Sequence, residues 1–187
     1  MLDLRDDVHR VFSGSMCDVN DPAAPEDQRQ RLNELIGKTT KLEWLLLSKY
    51  PQYYTRNFHL HPNMWIGTTV ESDKQMGRAR VIAEIDAAVK WLSCEPLLGR
   101  ISDIPEGIDW VVVGGMSSPS KKSLVEMDIA DVRYLRDLCL ERGIAFFFKQ
   151  WHTLTKDKNR EDIDVLDSRR WHQYPTPRTD HLKPMFG

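Results

Sequence analysis

Polar residues able to bind or move charge follow the apolar runs of this 187-residue chain in a recurring way. Ser48 and Lys49 come after LEWLLL, Glu71 after MWIGTTV, and Ser93 to Glu95 after VKWL. Ser117 and Ser118 come after WVVVGGM, and Lys149, Gln150, Trp151 and His152 after IAFFF. A further cluster, Ser15 to Asp18, follows HRVFSG. Glu95 stands directly behind an apolar run and ahead of Pro96, where its carboxylate is placed either for acid and base work or for an ion pair with Lys49 or Lys149. Lys149 emerges from three phenylalanines, so a carboxylate or an anionic ligand is needed to stabilise its ammonium. It becomes a general base only with a depressed pKa. Gly114 and Gly115 allow backbone to approach a phosphate or an aminoacyl group, with Ser117 as a donor, or else they form a tight turn.

The elements that must position these groups are short. His9 to Gly14, Leu42 to Leu47, Met64 to Thr68, Val89 to Leu92, Trp110 to Val113 and Ile144 to Phe148 are rich in Val, Ile, Phe and Trp and read as strands. Several are apolar without alternation, the habit of strands covered on both faces in a parallel sheet. Parallel pairing needs crossovers. Pro25 to Lys38 places Leu32, Leu35 and Ile36 at helical spacing, and Ser72 to Ala88 does so with Met76, Ala79, Ile82, Ala83 and Ile85. A third helix starts at an Asp128 N-cap and stops at Gly143, whereas Leu97 to Ile108 holds too much Gly and Pro for more than a loop.

The expectation is an α/β fold, a partial TIM-like (β/α)6 barrel of mainly parallel strands over residues 1–152. Residues 153–187 form a C-terminal tail packing on it, with a small hairpin. In such a barrel the carboxyl ends of the strands share one mouth. That makes Ser48, Lys49, Glu71, Glu95, Gly114, Gly115, Ser117, Lys149, Gln150 and Trp151 the candidate ligand-binding residues. His59 and His61 precede a strand and fall at the opposite end, so a structural role outweighs a metal site.

Composition narrows the class further. A net charge of -2 disfavours broad nucleic-acid binding. Three cysteines, at 17, 94 and 139, form no CxxC pair, which disfavours a disulfide framework or a thiolate metal site and fits a reducing cytoplasm. No apolar run approaches the roughly 20 residues of a membrane span.

Taken in order, SMCD at 15–18, LLSKYP at 46–51, NMWIGTTVES at 63–72, LSCEPLLG at 92–99, DWVVVGGMSSP at 109–119, FFFKQW at 146–151 and VLDSRRWHQYP at 165–175 resemble a phage-associated family of radical-SAM-like proteins of unknown function. The resemblance implies a radical-SAM barrel without its first strand, and a host-cytoplasmic location if phage-encoded. It also implies a preceding cysteine-rich segment that holds a [4Fe-4S] cluster against S-adenosylmethionine. Three scattered cysteines do not supply such a site, so no cofactor is expected for this chain alone. Met116 and Ser118 depart from the GGESG pattern of the family.

The first reading is therefore a barrel that has lost the iron–sulfur site and acts by binding, as an accessory or host-inhibitory protein. The alternative is part of a radical-SAM-like enzyme whose cluster-bearing segment comes from a longer protein or a partner chain. A third is a cluster-independent nucleotide or nucleic-acid enzyme with Glu95 and Lys149 as acid and base. An absent first strand leaves an unpaired sheet edge, where a protein partner or self-association is expected.

Overall fold

The computed structural model describes residues 9–14, 16–157 and 159–178. Ser15 of the first polar cluster and tail residues 179–187 lie outside them. Six parallel strands form one curled, half-barrel sheet in the order β1 (His9–Ser13), β2 (Leu42–Ser48), β3 (Met64–Thr69), β4 (Val89–Cys94), β5 (Trp110–Gly114), β7 (Ala145–Gln150). The two-residue β6 (Ser117–Ser118) pairs in parallel with β8 (Thr153–Leu154) beside that sheet. The partial barrel expected from the apolar runs is the fold.

Four helices accompany the strands: α1 (Glu26–Lys38), the single turn α2 (Tyr54–Asn57), α3 (Met76–Ala83) and α4 (Ile129–Glu141). Strand alternation divides the side chains between two faces. Trp44, Leu46, Met64, Ile66, Leu92, Val111, Val113, Phe146 and Phe148 join the main core with Ile36, Ile82, Val132 and Leu135 of the helices. Leu45, Trp65, Val89, Trp91, Trp110 and Val112 make a second, separate cluster on the other, concave face. The Leu97–Ile108 crossover is a loop, yet it buries Leu97, Ile101, Ile104 and Ile108 where a helix would otherwise pack.

Helix ends follow local chemistry. Asp128 caps α4 by accepting the Ala130 N–H at 2.8 Å, and Gly143 ends it at φ +67°. The expected helix over Ser72–Ala88 is shorter. Ser72 and Gln75 form a capping box on a 3-10 turn, and α3 stops at Ala83, whose carbonyl accepts from the buried Lys90 ammonium at 2.6 Å. A cation at a helix C-terminus satisfies a carbonyl that further helix would have taken, so the apolar period at Ile85 does not extend it. Burial, then the nearby Arg178 charge, lowers the Lys90 pKa below its usual value.

The chain after β8 returns to the sheet. Strands β9 (Val165–Leu166) and β10 (Arg169–Arg170) make the expected hairpin, with Asp167 and Ser168 at positive φ in its turn. Arg133 and Arg136 of α4 clamp Asp167 and hold its carboxyl down to about 2. Phe148 N–H donates to Trp171 O at 2.7 Å and Gln173 N–H to Phe146 O at 3.2 Å, so this segment lines the outer edge of β7. Arg178 then pairs with Asp109 at 2.7 Å and donates its N–H to the Ala88 carbonyl, tying the tail across the amino-terminal ends of β4 and β5. The opposite edge differs: among the described strands, β1 pairs with β2 alone.

Candidate functional site on the concave face

Because one face of each strand is held by the helices, the curl leaves the other face as the wall of an open concavity of about 390 Å³. Its floor is aromatic. Trp110 meets Trp91 at 5.5 Å, Trp65 at 5.9 Å, Phe147 at 6.0 Å and Tyr174 at 5.3 Å between ring centroids. Phe12, 48 % exposed, faces Trp91 from the β1 side at 6.3 Å. Gly67 makes room for this arrangement, since a Cβ there would fall inside the Trp91 indole.

An ion pair stands at each end of the aromatic band. At the amino-terminal end Arg10 pairs with Glu43 at 2.8 Å and stacks over Tyr174 at 4.0 Å. Arg10 lies on β1 and Tyr174 in the segment that edges β7, so this stacking bridges the open side of the half-barrel. At the carboxyl-terminal end Lys149 Nζ lies 2.6 Å from Glu95 Oε2, and both residues line the concavity.

Lys149 follows Phe147 onto the concave face by strand alternation, and two backbone features lie beside the upper pair. The register between β5 and β7 shifts, pairing Val113 with Phe148 but Gly114 with Gln150, so Lys149 is an extra residue in a bulge. Bulges of this kind are common beside functional sites. Gly114 lies on the intervening strand, and a Cβ there would sit 3.1 Å from Glu95 Oε2, so its bare backbone keeps the crossing open. The pair's side chains are 55 % and 21 % exposed for Lys149 and Glu95, which limits its worth to about 1 kcal/mol or less. A ligand can separate these charges at small cost. Ser93, buried between Trp91 and Glu95 along β4, adds a hydroxyl to the same wall.

The other candidates divide by strand parity and by backbone bonding. Ser48 follows Leu46 onto the helix side, where its hydroxyl donates to Asp18 at 2.6 Å and the Lys49 N–H donates to the other Asp18 oxygen at 2.7 Å. These two residues close the β1–α1 loop and do not line the concavity. Glu71 does not line it either; its carbonyl accepts the Leu98 N–H at 2.8 Å. Trp151 packs against the helix-side core and donates its indole N–H to Val165 O at 2.8 Å. Gly115 is a tight crossing against the His152 backbone, and Gln150 holds it by donating to Gly115 O at 3.0 Å and to Ser117 Oγ at 3.2 Å. The expected convergence of Lys49 and Glu71 with Glu95 and Lys149 is therefore corrected to Glu95, Gly114 and Lys149. Sequence reasoning missed Trp91, Trp110, Phe147 and Tyr174 as site walls, although W-x-G at 65–67 and W-x-V at 110–112 carry the alternation.

An iron–sulfur cluster does not fit the described residues. Cys94 and Cys139 are buried in the helix-side core, where burial pushes the first thiol well above its usual range and the second up to about 12. Cys17 alone is exposed. No group of three His, Cys, Asp or Glu side chains among the described residues could hold a metal ion. His61 packs on Gly37 of α1 and meets His59 edge-on at 4.7 Å. No described helix is long and apolar enough to cross a membrane.

Fold and site together define a parallel half-barrel with an aromatic concave face and a charged rim. The chain belongs to a family described as protein of unknown function (DUF5131), whose model matches residues 3–175. Neither the curated proteins nor the solved structures compared with the chain include a match.

Proposed function

We propose that this protein is a ligand-binding half-barrel of the phage-associated, radical-SAM-like kind that its motifs resemble, acting as a binding or accessory protein. The observation that carries the reading is the concavity lined by Phe12, Trp91, Trp110, Phe147 and Tyr174 beneath the Glu95–Lys149 pair. Ligand sites are concave, largely apolar and furnished with a few convergent polar groups, and roughly 300–1,000 Å³ is their usual volume. The concavity of about 390 Å³ falls in that range. Titration calorimetry with indole tests it. Indole binds the folded protein, and Ser93→Phe, which fills the concavity, removes the binding while leaving the circular dichroism spectrum unchanged. Absence of binding, or binding indifferent to Ser93→Phe, contradicts the reading.

The edge of β1 that pairs with no other described strand favours a second reading, in which a cluster-bearing segment from a longer protein or a partner chain lies beside it. S-adenosylmethionine and a [4Fe-4S] cluster then belong to the assembled protein. On both readings, anaerobic reconstitution of this chain alone with iron and sulfide leaves no protein-bound cluster absorbance. A stoichiometric cluster on the isolated chain overturns the assignment of its cysteines to non-ligand roles.

A further inference from the structure

The polar groups on the concave face carry more information than their presence. Glu95 and Lys149 are opposite charges 2.6 Å apart, set at the upper end of a wall made by Trp91, Trp110 and Phe147. A ligand bearing only an anion would draw Lys149 away and leave the Glu95 carboxylate facing like charge. A ligand bearing only a cation would do the reverse to Lys149. A ligand carrying both charges on groups bonded to one carbon can enter the pair and give each member a new partner, so the local charge stays balanced. Gly114 has no side chain to crowd the Glu95 carboxylate, since a Cβ there would lie 3.1 Å from Glu95 Oε2. Ser93 stands one inward-facing position below Glu95 and supplies a hydroxyl between head and ring. Below it the wall is aromatic, with the rings of Trp91, Phe147 and Tyr174 set tilted or edge-on to Trp110, and it ends at Tyr174.

From this arrangement we infer that the ligand is a zwitterionic α-amino acid carrying a flat aromatic ring. Its ammonium sits on Glu95, its carboxylate on Lys149, and its ring against Trp91, Trp110 and Phe147. The inference rests on the concave face being the binding face, and it adds the chemistry of the head group.

The test compares four probes by titration calorimetry: L-tryptophan, tryptamine, indole-3-propionate and indole. L-Tryptophan binds at least tenfold more tightly than the two singly charged probes. Glu95→Gln and Lys149→Met each weaken L-tryptophan binding at least tenfold. If indole binds as tightly as L-tryptophan, the zwitterion inference is overturned and the concave binding face stands. If tryptamine or indole-3-propionate matches L-tryptophan, the ligand carries one charge and the inference is likewise overturned. If no probe binds, the binding-face reading falls and the inference with it. Thermal melts of both variants within a few degrees of the wild-type protein establish that lost binding is not lost folding.

Discussion

Trp110→Ala lowers the stability of the folded protein by about 3–5 kcal/mol, the range for removing a large aromatic side chain from a core. Trp110 is 4 % exposed and is the hub of the concave face, touching Trp65, Trp91, Phe147 and Tyr174. Its indole N–H also donates to Gln173 O at 2.9 Å, so the substitution loosens the returning tail along with the aromatic band. Thermal unfolding followed by far-ultraviolet circular dichroism reads the effect as a drop in midpoint on the order of 10 °C. A fall of under about 1 kcal/mol would show that the concave cluster contributes little to folding and that Trp110 is an ordinary surface aromatic. Indole binding by any folded fraction should be lost as well, because the ring's main wall is gone.

Gly115→Ala costs about 3 kcal/mol, at the upper end for overpacking. A Cβ at this position would lie 2.6 Å from His152 Cα and 2.8 Å from the Trp151 carbonyl carbon. Both are backbone atoms, so no rotamer change relieves the clash. The crossing is also pinned by the Gly115 N–H, which donates to Gln150 O at 2.9 Å, beside the register shift at Lys149. Displacing it moves the upper ion pair together with the fold. Gly77→Ala is the control: a Cβ there meets nothing within 4 Å, and replacing an exposed helical glycine stabilises by about 1 kcal/mol. Chemical denaturation of both variants should give shifts of opposite sign.

The strands were legible because Val, Ile, Trp and Phe run together in them, with helices on one face and the curled sheet's own aromatic side chains filling the other. That same continuity concealed the concave face. In VKWLSC the residues facing the helices and those facing the open side are both apolar, so the period of two that singles out Trp91 is weak. Ser48 illustrates why strand ends do not all reach one site. It follows Leu46 onto the helix side, and a polar residue at a strand terminus faces whichever side its parity dictates. The Glu95–Lys149 pair was legible as one of two possible pairings, and Lys149 shares the parity of Phe147, but the register shift beside it leaves no mark in FFFKQW. Tyr174 was hidden for a different reason. It lies in a Pro-containing segment that reads as surface tail, and its contacts with Arg10 and Trp110 arise only from the return of the chain to the sheet.

The concave face as a binding site is tested most directly by a crystal structure of the protein soaked with indole. Density for the ring against Trp91, Trp110 and Phe147, beneath Glu95 and Lys149, is the predicted result. Ring density elsewhere on the molecule with the concavity empty, or a concavity filled by the protein's own chain, contradicts it.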